Sequence, residues 1–187
     1  MSHPAPLSPS AAPATAPTAP TTAPSVDWPS PQRRAAFEAW LAPLIAPHQL
    51  QAASLRPASA DASFRRYLRL DTATPGASCI VMDAPPDKEN CRPFVQVQAL
   101  LAQAGLSVPQ ILAWDEAQGF MLLSDLGTQT VIEKLDPERP QDAFAWYQQA
   151  TDTLLQWQLA SRPSVLPVYD EALLRRELAL FPDWYIA

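Results

Sequence analysis

The sequence predicts an α+β fold: a five-stranded, mostly antiparallel sheet carrying one packed helix, then an all-helical segment. Three observations predict it. Short apolar and β-branched runs separated by turn residues fill positions 55 to 124, interrupted once by a helical stripe. Beyond position 127 the apolar spacing is helical throughout. Ahead of both, Ser2 to Val26 consists of Ala, Pro, Thr and Ser with only His3, Leu7 and Val26 as exceptions. Three regions follow: a Pro/Ala/Thr-rich tail over 1–27, a sheet-bearing lobe over 28–126, and the beginning of a helical lobe over 127–187.

Taken in order, the tail cannot bury enough apolar surface to offset an ordering cost of ~1–2 kcal/mol per residue, so it is expected to be disordered. Its proline content favours extended polyproline II, either as an inert spacer or as a docking tail for a Pro-binding module. Order is expected from Trp28. Ser30-Pro31 reads as an N-cap followed by Pro at the first helical position, and Phe37, Trp40, Leu41 and Leu44 form an amphipathic stripe that stops near Pro43. Leu55–Ala60 and Phe64–Leu70 are two strands joined by Asp61-Ala62-Ser63. The Pro75-Gly76 turn leads to the apolar strand Cys79–Met82.

A second helix opens at Pro93, buries Phe94, Val97, Leu101 and Ala104, and ends at Gly105 as a C′ residue. Val108–Trp114 and Phe120–Ser124 form a hairpin around residues 115–119. A short helix covers Thr128–Leu135. Pro140 opens a long helix to about Ala160, with Phe144, Tyr147, Thr151, Leu154 and Gln158 on one face. A last helix follows an Asp170 cap, with Leu174, Leu178, Phe181 and Tyr185 in line. Its stripe runs to Tyr185, two residues before the last, without a C-cap signal, which leads to the expectation that the chain is a fragment.

Composition excludes several function classes. At 187 residues and 48% hydrophobic content, the chain is ample for an ordinary core. Thirteen Lys plus Arg stand against 19 Asp plus Glu, a net charge of -6, and no basic run exceeds two residues, so nucleic acid is not an expected partner. The two cysteines, Cys79 and Cys91, cannot make a disulfide framework or a four-cysteine zinc site, and with His3 and His48 as the only histidines a metal centre is not expected. No segment has a signal-peptide pattern or the ~18 consecutive apolar residues of a membrane span. A soluble, cytoplasmic protein without a membrane partner is expected.

Four segments carry a family resemblance. Asp61-Ala62-Ser63-Phe64-Arg65-Arg66-Tyr67-Leu68-Arg69, Val81-Met82-Asp83-Ala84-Pro85-Pro86, Phe120-Met121-Leu122-Leu123-Ser124-Asp125-Leu126-Gly127 and the run Tyr169–Tyr185 resemble, in that order, the aminoglycoside phosphotransferase superfamily. They are most similar to its bacterial branch of anomeric kinases for N-acetylmuramate and N-acetylglucosamine. The resemblance spans residues 31 to 187. It implies a protein-kinase-like fold, ATP with Mg2+, and a small-molecule sugar as acceptor, in a cell-wall recycling role. It implies nothing about oligomeric state.

The same resemblance implies site residues. The turn Ser59, Ala60, Asp61, Ala62, Ser63 and Phe64 takes the place of the phosphate-cradling hairpin; it has no glycine, but small residues permit close approach, and an ordinary hairpin turn is the alternative. The third-strand lysine that meets the phosphates is replaced by Met82, and its carboxylate partner on the next helix by Phe94. Losing both together is coherent, because either charge alone in a partly buried cleft is costly. Arg65 and Arg69 share one face of their strand and Arg66 takes the other, so one of the three either replaces the lysine or all face solvent. Ser124, Asp125 and Leu126 form the adenine hinge, with Asp125 alternatively capping the short helix that follows. Glu177 either reaches a sugar hydroxyl or lies on the wet face of its helix.

The superfamily's His-x-Asp catalytic segment and magnesium-binding Asp find no match after Leu126, where histidine is absent. Catalytic residues and metal ligands are therefore expected beyond Ala187. Two other readings remain at this stage: a related kinase for an aminoglycoside or choline-like acceptor, which needs a strongly acidic acceptor cleft, and a non-catalytic nucleotide-binding module.

Overall fold

The structure is a computed structural model that describes residues 26–60 and 64–186. Most of the expected tail and the centre of the first turn, Asp61-Ala62-Ser63, lie outside the described residues. Strands β1 (Arg56–Ala60), β2 (Arg66–Asp71), β3 (Ser78–Asp83), β4 (Ile111–Asp115) and β5 (Phe120–Ser124) form one sheet in the order β1-β2-β3-β5-β4. Every neighbouring pair is antiparallel. The sheet is central and β3 is its middle strand, which is why Val81, Met82 and Asp83 are all fully buried.

Helix α1 (Pro31–Ile45) starts where its cap predicts, with the Ser30 hydroxyl accepting from the Arg33 N–H at 3.1 Å. It does not stop at Pro43. The proline sits in the last turn, where only one ladder bond is lost, and the helix continues to Ile45. Buried Leu41, with Leu44 and Ile45 packed beside it on the sheet, holds that final turn in place. Phe37 and Leu41 pack with Leu68, Leu70, Val81, Phe120 and Leu122 on one face of the sheet. Trp28 and Trp40 flank Phe37, with ring centroids at 4.8 and 6.2 Å.

Helix α2 (Arg92–Gln103) covers the opposite face, where Phe94 and Val95 pack against buried Met82, Ala84, Cys91, Met121 and Leu123. The sheet therefore has a helix on both faces, one more than the sequence pattern predicts. Gly105, at φ +76, terminates α2 in the left-handed conformation expected of a C′ glycine. Strand β4 begins at Ile111 instead of Val108, because Pro109 has no N–H for the ladder.

Beyond the sheet come α3 (Val131–Lys134), α4 (Ala143–Ala160) and α5 (Glu171–Leu180), the last capped by Asp170 as expected. The short helix is capped by Thr130 with a reciprocal Glu133, not by Asp125. The α4 and α5 stripes form, but Phe144, Tyr147, Leu154, Leu174 and Leu178 are exposed within this chain. No helix among the described residues is long and apolar enough to cross a membrane.

Candidate functional site

On the α2 side of the sheet, an open cleft of about 460 Å³ runs from β1 to the segment after β5. Ala58, Tyr67 and Ile80 form its roof, Phe94 its inner wall, and Leu123 to Gly127 its hinge side. Volume and a mainly apolar lining with a few polar groups suit a planar heterocycle. Alternation along the strands builds the roof: Tyr67 and Arg69 point into the cleft, while Leu68 and Leu70 are buried under α1.

At the hinge, Ser124 is engaged with Gln110 in both directions: its N–H donates to the Gln110 carbonyl at 2.9 Å and its Oγ accepts from the Gln110 N–H at 2.8 Å. Asp125 turns its carboxylate back toward the sheet. It accepts from Arg69 Nε at 2.6 Å, from the Ser78 hydroxyl at 2.6 Å and from the Gly127 N–H at 2.8 Å. Burial alone would raise the Asp125 pKa, but these donors outweigh it and hold the carboxyl below its usual range. Exposed Leu126 and Gly127, at φ +116, then lead the chain out of the sheet.

The structure separates the three arginines. Arg66 lies on the face opposite the cleft, paired with the carboxylate of Asp83, and its Nη1 donates to the Asp27 carbonyl. Arg69 lines the cleft at its hinge end, but its charge is matched by Asp125, and its Nη2 also donates to the Gly127 carbonyl at 3.0 Å. Arg65 lies just before β2, where its Nε donates to Glu89 Oε2 at 3.1 Å. Burial opposes the Arg65 charge, but neighbouring Tyr67 and Glu89 overcome it and raise its pKa.

Of the remaining candidates, Ser59 is exposed on β1 and lines the cleft beside Ala58, Ala60 ends that strand, and Phe64 is exposed under the Lys88 ammonium at 5.0 Å. Met82 is fully buried among Met121, Leu123 and Cys91, so Ile80 forms the roof at β3. Glu177 lies on α5 beside Arg176 and does not line the cleft. Burial pushes the Cys79 and Cys91 thiols up, away from thiolate chemistry.

Sequence reasoning missed Tyr67 and Glu89. The period-two alternation from Arg65 to Arg69 contains the signal for Tyr67. Nothing local distinguishes Glu89 within the polar loop Asp87-Lys88-Glu89-Asn90.

A five-stranded antiparallel sheet with a cleft-side helix, a hinge strand and helices beyond it is the small-lobe arrangement of kinase-type phosphotransferases. Residues 54–187 match the model of the phosphotransferase enzyme family, and the chain belongs to that family. It is 55% identical over 135 residues to an N-acetylmuramate/N-acetylglucosamine kinase of Pseudomonas aeruginosa, covering 72% of this chain and 38% of the relative. Proteins of the same name from Pseudomonas putida and Neisseria meningitidis are 50% identical over 138 residues and 39% identical over 157. Those matches cover 74% and 83% of this chain but 39% and 45% of the relatives, so the chain spans about two fifths of their length.

Proposed function

We propose that the whole protein is a cytoplasmic, ATP-dependent kinase that phosphorylates an amino sugar, N-acetylmuramate or N-acetylglucosamine, in cell-wall recycling. This chain supplies its nucleotide-binding lobe, residues 28–126, and the start of the sugar-binding helical lobe, residues 127–187. The observation that carries the reading is the cleft: an apolar slot roofed by Tyr67 and Ile80 and bounded by Leu123 to Gly127, with Arg65 two residues before Tyr67 in the chain.

In this reading the purine lies under Tyr67 and Ile80, against Leu123, with its edge toward the backbone of Asp125 and Leu126. The triphosphate runs to the turn Ser59–Phe64, and Arg65 takes the charge that a third-strand lysine would otherwise meet. Arg69 and Asp125 hold the hinge to β2 and β3 and so set the far wall of the slot. Among the described residues no three His, Cys, Asp or Glu side chains come together, so no Mg2+ site is assigned to this chain. Catalytic groups are expected beyond Ala187, because positions 127–187 contain no histidine for a His-x-Asp segment.

Phosphate transfer from labelled ATP tests the proposal, using the natural-length protein with N-acetylmuramate, N-acetylglucosamine, choline and an aminoglycoside. Transfer to the two amino sugars alone is expected; transfer only to a cationic acceptor would overturn it. The 187-residue chain by itself is expected to transfer none, since positioning ATP without transition-state charge stabilisation gives little rate. Turnover by the short chain comparable to the long one would show that the catalytic groups lie within these residues.

A further inference from the structure

We propose that Glu89 is a positioning residue for the nucleotide phosphates, holding the Arg65 guanidinium and the Phe64 backbone N–H together. This rests on the nucleotide-binding reading of the cleft and adds a residue to it.

The carboxylate divides its two oxygens between two neighbouring residues. Oε1 accepts the Phe64 N–H at 3.1 Å, and Oε2 accepts Arg65 Nε at 3.1 Å. The Glu89 side chain is 13% exposed and that of Arg65 is 26% exposed, so water weakens the pair less than it would on the surface. Two residues further along the chain from Arg65, Tyr67 forms the roof of the slot. Beside Glu89, Lys88 lies over the Phe64 ring.

The loop that carries Glu89 is itself rigidly placed. The N–H groups of Lys88 and Glu89 both donate to the Pro85 carbonyl at 2.9 Å, closing a tight turn after Pro85-Pro86. The Ala84 N–H donates to the Gly119 carbonyl at 2.9 Å, which fixes the corner to the β4–β5 turn. Gly119, at φ +70, packs so closely that a Cβ there would meet the Ala84 carbonyl oxygen at 1.9 Å. A carboxylate on such a corner holds its partner with little entropy left to lose, which is the requirement for a preorganised charge.

The arrangement also accounts for an otherwise bare position. Met82 and Phe94 are apolar, so the cation–carboxylate pair is absent from β3 and α2. Arg65 and Glu89 restore a pair one strand away, from the start of β2 to the loop before α2. Arg66 lies on the opposite face, and Arg69 is held at the other end of the cleft by Asp125 and the Gly127 carbonyl.

The test measures ATP and adenosine affinity by titration, and steady-state kinetics, in the natural-length protein carrying Glu89→Ala, Glu89→Gln, Arg65→Ala and the double Ala change. Glu89→Ala is expected to weaken ATP on the order of tenfold, the scale of one charge-assisted hydrogen bond. Adenosine affinity and the sugar KM should stay unchanged, because neither touches the turn. The double change should cost less than the sum of the two single losses, because the bond between Arg65 and Glu89 is lost in either one. Glu89→Gln, which keeps size and one oxygen for Phe64, should fall between, and serves if the Ala variant fails to fold. Unchanged ATP affinity, equal loss for adenosine, or additive losses in the double variant would overturn the role. Glu89-dependent ATP binding without sugar phosphorylation would support the clamp and sink only the sugar-kinase reading, whereas no ATP binding by the wild type overturns both.

Discussion

Asp83 carries the largest single stability effect expected here. Its side chain is fully buried, and it accepts from Arg33 Nε at 3.0 Å and Nη2 at 2.6 Å, and from Arg66 Nε at 3.1 Å and Nη2. Arg33 further lies over the Phe120 ring at 3.8 Å and donates to the Gln118 carbonyl at 2.7 Å. Arg66 lies over Trp28 at 4.9 Å. Asp83→Asn keeps the volume but removes the charge and turns an amide N–H₂ toward one of the guanidiniums. Losing one partner of a buried ion pair costs ~3–5 kcal/mol. The two arginine side chains are 16% and 28% exposed, so partial hydration of the orphaned cations brings the cost to the lower end, about 3 kcal/mol. For a chain of this size that is a fall in Tm of roughly 6–12 °C. Urea unfolding followed by tryptophan fluorescence should show a lower midpoint at constant m. The triad lies on the face away from the cleft, so ATP affinity should change by less than about twofold. A loss below about 1 kcal/mol, or a selective loss of ATP binding at full stability, would refute the reasoning.

At Gly119, Ala must adopt a left-handed backbone at about 1–2 kcal/mol and displace the Ala84 carbonyl, so Gly119→Ala should lower Tm and, through the corner that carries Glu89, weaken ATP as well. Calorimetry and ATP titration of one preparation check both effects. Asp125 has a folded-state pKa below the usual ~3.9, so its contribution is fully present above about pH 4 and is lost as pH falls through the lower folded value. Asp125→Asn should therefore destabilise the protein by roughly 1.5–3 kcal/mol at neutral pH and flatten the acid limb of its stability curve. An unchanged acid limb, measured by urea midpoints from pH 2 to 7, would remove Asp125 from that role.

Local signals determined much of the lobe. Ser30-Pro31 starts α1, Gly105 ends α2, Asp170 caps α5, and Phe120–Ser124 is a strand with the boundaries its pattern predicts. Each rests on residues within a few positions of one another, where backbone preference and one side-chain bond decide the conformation. The exit from the sheet was legible for the same reason, as an apolar strand running into Asp125-Leu126-Gly127.

What tertiary structure decided is which charges meet. Alternation puts Arg65 and Arg69 on one strand face, yet only folding sends one to Glu89 at the loop end and the other to Asp125 at the hinge. Pro43 stays helical because the sheet holds Leu41 and Leu44, and Asp125 leaves the cap to Thr130 because Arg69 and Ser78 hold it. The bonds from Arg65 to Glu89, Arg33 to Asp83 and Arg69 to Asp125 span 24, 50 and 56 residues. At such separations a partner is chosen by strand order and register, with β5 inserted between β3 and β4, and no local spacing encodes that choice.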